Sequence, residues 1–187
     1  QSIDSGKFYK KIISKISKNK NVFFFKNLNE INSNKSIIFN SLIDDKMDKS
    51  KLWQHFQGIE IETSKDVFDD KIFNLMDFNC DQKNSVHFFY TLPFTSKKAL
   101  VETTWLSNLN DKDLMDYDDQ LKNYVKNNLG IKNYQISYTE KGAIPLFYPS
   151  IKDGKKINIG SAGGMTRLST GYTFLNIQEH CQYIRKN

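Results

Sequence analysis

Two features of this chain carry residue types arranged for chemistry. The first is Gly160-Ser161-Ala162-Gly163-Gly164, followed by Ser169-Thr170-Gly171. Glycines let a backbone approach something flat or anionic that any Cβ would obstruct. The alternating Lys156-Ile157-Asn158-Ile159 ahead of them predicts a short buried strand. Ser169 or Thr170 predicts an N-cap, and Gly171 to Arg185 has helical spacing. Strand, glycine turn and capped helix bring free N–H groups and a helix dipole to one place, which suits negative charge. The same pattern also describes a tight connection with no ligand. The second feature is Glu102. In Ala99-Leu100-Val101-Glu102-Thr103-Thr104-Trp105 it shares a face with Leu100 and Thr104, as one acid on a strand beside an aromatic strand. A carboxyl in apolar surroundings resists ionisation and holds its proton, whereas on a wet strand it is merely solvated.

The elements that must position these residues follow from periodicity. Lys7 to Lys20 predicts an amphipathic basic helix, with Phe8, Ile12, Ile13 and Ile16 on one face. Short apolar strands are expected at Asn21–Phe25 and Ser36–Phe39. Further strands are expected at Trp53–Thr63, Leu75–Phe78, Val86–Pro93, Ala99–Trp105 and Tyr134–Glu140, with a Pro-bounded loop from Pro145 to Pro149. Asp111 to Leu129 predicts a helix whose inner face is Leu114, Tyr117, Leu121, Tyr124 and Val125, closed by Gly130. Strands and helices mix without strict alternation. The class is therefore α+β, or α/β with a large antiparallel sheet.

Composition bounds the function. At 187 residues, 39% hydrophobic and 13% aromatic, the chain can bury one core. Fourteen Phe and nine Tyr suit a flat apolar ligand and equally suit sheet packing. The net charge of +6 comes from lysines scattered among acids, without the aromatic and basic interleaving of a nucleic-acid binder. The basic helix can pack on a sheet or be drawn to anionic lipid. Two cysteines and three separated histidines predict neither a disulfide framework nor a metal site, and point to a reducing compartment. No stretch approaches a membrane span or a signal peptide.

The glycine segment resembles the C-terminal flavin-contacting segment of bacterial lycopene cyclases, where Gly-x-Ala-Gly-Gly precedes Ser-Thr-Gly-Tyr. Other blocks follow in family order over roughly residues 50 to 180. They are Trp53-Gln54-His55-Phe56-Gln57-Gly58, Leu75-Met76-Asp77-Phe78, His87 to Phe94, Ala99 to Thr104, and Glu140-Lys141-Gly142-Ala143-Ile144-Pro145. The family's opening Gly-x-Gly-x-x-Gly turn, which holds a dinucleotide pyrophosphate, has no counterpart here. The chain opens at Gln1, so the resemblance implies an N-terminally incomplete flavoprotein. Such a piece is expected to be colourless, poorly soluble and inactive alone. At Phe39-Asn40-Ser41-Leu42 the family commonly reads Phe-Asp-Ser-Arg, which puts the role of that charge pair in doubt.

The resemblance implies a partial FAD-binding domain at 1–42, a carotenoid domain at 43–150 and a return to the FAD-binding domain at 151–187. It implies an intramolecular lyase, or isomerase, that cyclises lycopene toward beta-carotene with reduced FAD and NAD(P)H as electron source. Glu102 would be the proton donor, aligning with the first acid of a Glu-Glu-Thr or Glu-Asp-Thr motif whose second acid is Thr103 here, which argues against paired carboxylates. Gly160, Gly163, Gly164, Ser169, Thr170 and Gly171 would contact the flavin. Trp53, Phe88, Tyr90 and Trp105 would line the polyene channel. Asp77, Glu60, Glu62 and Glu140 are weaker acid or base candidates, each expected to be structural or exposed. No metal and no nucleic acid is expected. The implied location is cytoplasmic, peripheral to the inner membrane. A related FAD-dependent isoprenoid oxidoreductase and an inactive carotenoid-binding paralogue are the alternatives.

Overall fold

A computed structural model describes residues 5–31, 35–43, 46–149 and 156–186. It divides into two compact units, Gln1–Ile38 and Phe39–Asn187. The first holds helix α1 (Ser5–Ile16), with Phe8, Ile12, Ile13 and Ile16 exposed. The strand expected at Asn21–Phe25 is not formed. An isolated extended segment leaves its N–H and C=O groups without a ladder, and no described strand pairs with this one.

The second unit is built on a five-stranded sheet in the order β3-β4-β5-β2-β6. Its strands are β2 (Trp53–Glu62), β3 (Asn74–Asp77), β4 (Val86–Thr95), β5 (Lys98–Ser107) and β6 (Gln135–Pro145), and each neighbouring pair is antiparallel. β6 runs on past its expected end at Glu140, because Lys141 to Pro145 keep pairing with Gln57 to Trp53. Gly142 admits the Phe56 ring, which lies where a Cβ would stand. The class is α+β. A second sheet pairs β1 (Ile38–Asn40) with β7 (Lys156–Asn158), where Asn40 Nδ2 donates to Asn158 Oδ1 at 3.0 Å. β7 is half-exposed rather than buried. The expected boundary at 150/151 lies outside the described residues.

The long helix expected over 111–129 is two pieces. Asp111 caps a single 3-10 turn at Lys112–Leu114, and α2 (Tyr117–Asn127) follows. Gly130, at φ +68°, closes it as expected. Leu121, Tyr124 and Val125 of α2 meet Ile59, Ile61, Phe89 and Val101 of the sheet, and Phe89 stacks on Tyr124 at 3.9 Å. All four sheet residues come from one set of alternate positions, so α2 covers one face only.

His55 locks this joint. Its Nε2 lies 2.7 Å from Ser107 Oγ and its Nδ1 2.6 Å from Tyr117 Oη. The Ser107 hydroxyl donates to the Asn108 carbonyl at 3.1 Å, so it accepts from Nε2–H, and Tyr117 O–H donates to Nδ1. Burial holds the imidazole pKa down at about 4, against the pull of Asp111. The unfolded chain takes up a proton near pH 6.5 that the fold refuses until about 4. Stability is therefore full above pH 6.5 and falls as pH drops through that window, with His87, also lowered by burial, adding in the same direction. H55Q should flatten this part of the stability–pH curve in denaturant unfolding. At neutral pH it should cost about 1–3 kcal/mol through unmade hydrogen bonds. An unchanged slope would mean that other groups set the acid sensitivity.

Candidate active site

The alternate positions pointing away from α2 form the other face, and the clean register across four strands fixes their neighbours. One row reads Tyr90 on β4, Glu102 on β5, Gly58 on β2 and Glu140 on β6. The next row reads Phe88, Thr104, Phe56 and Gly142. On the other side lie Leu92, Leu100, Glu60 and Tyr138. A carboxyl thus sits among aromatic and aliphatic side chains at the centre of a sheet face.

Desolvation dominates the chemistry of Glu102. Burial pushes its pKa up to about 7, and the charge of Glu140 adds to the rise. The one opposing influence is a hydrogen bond from Thr104 Oγ1 to Glu102 Oε1 at 2.8 Å. That bond marks Oε1 as the acceptor and leaves Oε2 to carry the proton. Tyr90 is shifted upward by burial and by Glu102, so its phenol stays neutral. The arrangement can hold a carboxylic acid near neutral pH and present its proton to an apolar substrate.

The residues expected from sequence divide between the faces. Glu102 and Tyr90 lie together, and Phe88 shares their face but is covered by edge-to-face contacts with Phe78 and Tyr90. Trp105 and Trp53 fall on the odd positions, away from Glu102. Trp105 stacks on His87 at 3.7 Å and donates to Gln120 of α2. Trp53 donates to the Asp48 carbonyl and packs on Phe147. A lining role for the two tryptophans beside Glu102 is therefore corrected by strand alternation. Phe56, Leu100 and Glu140 take their place; the period-two pattern Gln54-Phe56-Gly58-Glu60 is the signal for Phe56, and alternation from Glu102 for Leu100. Among the weaker acids, Glu60 and Glu62 both bind Lys98, at 2.8 and 2.9 Å, and Asp77 accepts from Tyr124 at 2.6 Å.

The glycine segment forms a 3-10 turn, Gly160–Gly163, ended by Gly164 at φ +73°. A Cβ on Gly163 would meet the Asn158 carbonyl, and one on Gly164 would press on Tyr148 and Pro149. Gly171, at φ +70°, lies against the Gln54 amide, on the face that carries Glu102. Gln54 is four residues along β2 from Gly58, a distance of about 13 Å. Helix α3 (Phe174–Lys186) begins later than expected, so Ser169 and Thr170 do not cap it. They belong to a turn in which Thr170 and Gly171 N–H groups bond the Arg167 carbonyl. Of these four glycines, Gly160 alone looks into open space. Its turn begins with N–H groups that have no intrahelical acceptor, which fits contact with one edge of a flat, anionic group such as a flavin.

Among the described residues no cluster of His, Cys, Asp and Glu could hold a metal ion, and no helix is long and apolar enough to cross a membrane. A family model described as lycopene cyclase protein matches residues 8–186. The chain belongs to the lycopene cyclase family. No curated protein matches it significantly. Among solved structures it is similar to a geranylgeranyl bacteriochlorophyll reductase-like protein of Thermoplasma acidophilum, at 17% identity and a TM-score of 0.49. That match covers 70% of this chain and 32% of the other. In this member of the lycopene cyclase family the fold is α+β around an antiparallel sheet.

The raised acid has a cost in stability. Unfolded, Glu102 ionises near 4.5; folded, it keeps its proton to about 7. Its favourable share is complete below pH 4.5 and is lost as pH rises through about 7. E102Q should therefore be more stable than the parent above neutrality, by about 1–2 kcal/mol after discounting for partial exposure, and should lose that advantage in acid. Thermal unfolding across pH reads the difference. Equal stability at every pH would show that the carboxyl ionises freely.

Proposed function

We propose that this protein cyclises the ends of lycopene by acid catalysis on the face of the sheet that α2 leaves bare. The single observation carrying the reading is Glu102, a carboxyl kept protonated toward pH 7 by burial among Tyr90, Phe56 and Leu100. Membership of the lycopene cyclase family supports the same substrate.

Cyclisation needs a proton added to an end-group double bond, a carbocation held away from water while the ring closes, and a proton removed. Glu102 supplies the first. The faces of Tyr90 and Phe56 shield the cation through their quadrupoles. Thr104 keeps the carboxyl aimed by holding Oε1. The net change is redox-neutral and leads toward beta-carotene. Reduced FAD, with NAD(P)H as its electron source, would supply negative charge when bound, and the turn beginning at Gly160 is where this chain would meet it. In this reading residues 1–42 and 151–187 are parts of a flavin-binding domain and residues 43–150 form the carotenoid domain between them. The basic helix α1 would keep the enzyme at a membrane surface, where lycopene dissolves.

Introducing the full-length protein into a lycopene-accumulating host tests this directly. Cyclic carotenoid should appear with the parent and fall by about 10² to 10⁴ in rate with E102Q, at unchanged protein and flavin content. Activity should decline as pH rises through about 7, where the acid form is lost. Unaltered lycopene with the parent protein rejects the cyclase reading in favour of a related isoprenoid oxidoreductase or a carotenoid-binding paralogue.

A further inference from the structure

Thr103, at the position of the second acid in the family's paired motif, points away from Glu102. Its hydroxyl donates to Gln120 of α2 at 2.8 Å, on the covered face. Adjacent strand residues alternate, so no acid at 103 could share a site with Glu102. A second carboxylate on the bare face has to come from another strand. Glu140 of β6 meets this condition. It stands two strands from Glu102 in the same row, with Gly58 between them. Two strand spacings put their Cα atoms about 10 Å apart, within reach of two glutamate side chains leaning inward.

Gly58 makes the approach feasible. The place its Cβ would occupy is 3.1 Å from Leu100 Cδ1, 3.2 Å from Glu140 Cγ and 3.3 Å from Glu140 Oε1, so Leu100 and Glu140 share the space over the glycine. The Glu140 side chain thus leans over the glycine, toward β5. The other charged and titratable groups around Glu102 are accounted for. Tyr90 faces it from β4, and Glu60 in the next row of β2 is held by Lys98 at 2.8 Å. Glu140 is the remaining carboxylate in the row, and its charge is felt at Glu102.

We propose that Glu140 is the second carboxylate of this site, facing Glu102 across the gap left by Gly58 and taking the proton that the substrate loses. The proposal rests on the cyclase reading for the identity of that substrate. Glu102 gives its proton to an end-group double bond, whose π pair forms the new C–H bond. A second double bond supplies the pair that closes the ring. A C–H beside the resulting cation then breaks, its electrons forming the ring double bond and its proton going to Glu140. Transfer of that proton from Glu140 to Glu102 restores both groups, and nothing is oxidised or reduced.

The test compares E140Q, E140D and G58A with the parent in the full-length protein. Cyclisation rate is followed across pH, and the Glu102 midpoint is read from carbon-13-labelled carboxyl signals, assigned by their loss in E102Q. E140Q should slow cyclisation by about 10² or more. It should also move the Glu102 midpoint to lower pH, since a nearby negative charge is gone. E140D should keep the midpoint raised. G58A, whose methyl group presses on both Leu100 and the Glu140 side chain, should fall between the parent and E140Q. Wild-type rate in E140Q overturns the proposal, and so does a slowed E140Q whose Glu102 midpoint has not moved, since that describes a merely structural residue. A moved midpoint in a protein that never cyclises lycopene leaves the carboxylate pair standing and sinks the cyclase reading instead.

Discussion

Everything at the candidate site depends on a helix that docks against only one side of a sheet. Leu121, Tyr124 and Val125 remove Ile59, Ile61, Phe89 and Val101 from water, and this burial fixes which alternate positions point inward. A slip of one residue would turn Glu102 under the helix and bring Thr103 and Trp105 out. The penalty is the exposure of core residues on three strands, so the register that stabilises the fold also determines which side chains meet on the opposite face. Chemistry and stability are set on opposite sides of the same strands.

Desolvation and hydrogen bonding compete at Glu102, and desolvation wins. The Thr104 hydroxyl favours the charged form, yet the aromatic and aliphatic surroundings hold the proton on. The same strand shows the opposite outcome at its start, where Lys98 holds Glu60 and Glu62 in ion pairs. One sheet face therefore carries a protonated acid among rings and, further along, two acids paired with a cation.

Strand periodicity made much of this legible in the sequence. The strands around Glu102, the inner face of α2 and the Gly130 stop follow from local residue patterns, because apolar alternation and helical spacing are local signals. What stayed hidden was lateral. Nothing local tells that Gly58 stands between Glu102 and Glu140, or that β6 continues past Gly142 because Phe56 fills the missing side chain. The resemblance implies a channel role for the tryptophans, although counting from Glu102 places Trp105 on the other face. The glycine segment showed the converse limit. Its glycines suggest room for a ligand, while Gly163, Gly164 and Gly171 are required by contacts within the chain itself. In the first unit, an apolar run at Asn21–Phe25 resembles a strand by composition, but pairing partners decide whether one forms.

The hydrogen bonds through His55 have a direction. Tyr117 donates to the imidazole, the imidazole to Ser107 and Ser107 to the Asn108 carbonyl, so every donor points the same way, from helix to loop. Such a chain is polarised along its length, each bond strengthening the next. It also allows one tautomer only, because the single hydroxyl hydrogen of Ser107 is already committed. The imidazole is therefore a conductor of orientation rather than of protons. One phenolic O–H on α2 occupies the lone pair that any incoming proton would need, so acid must first turn that hydroxyl away.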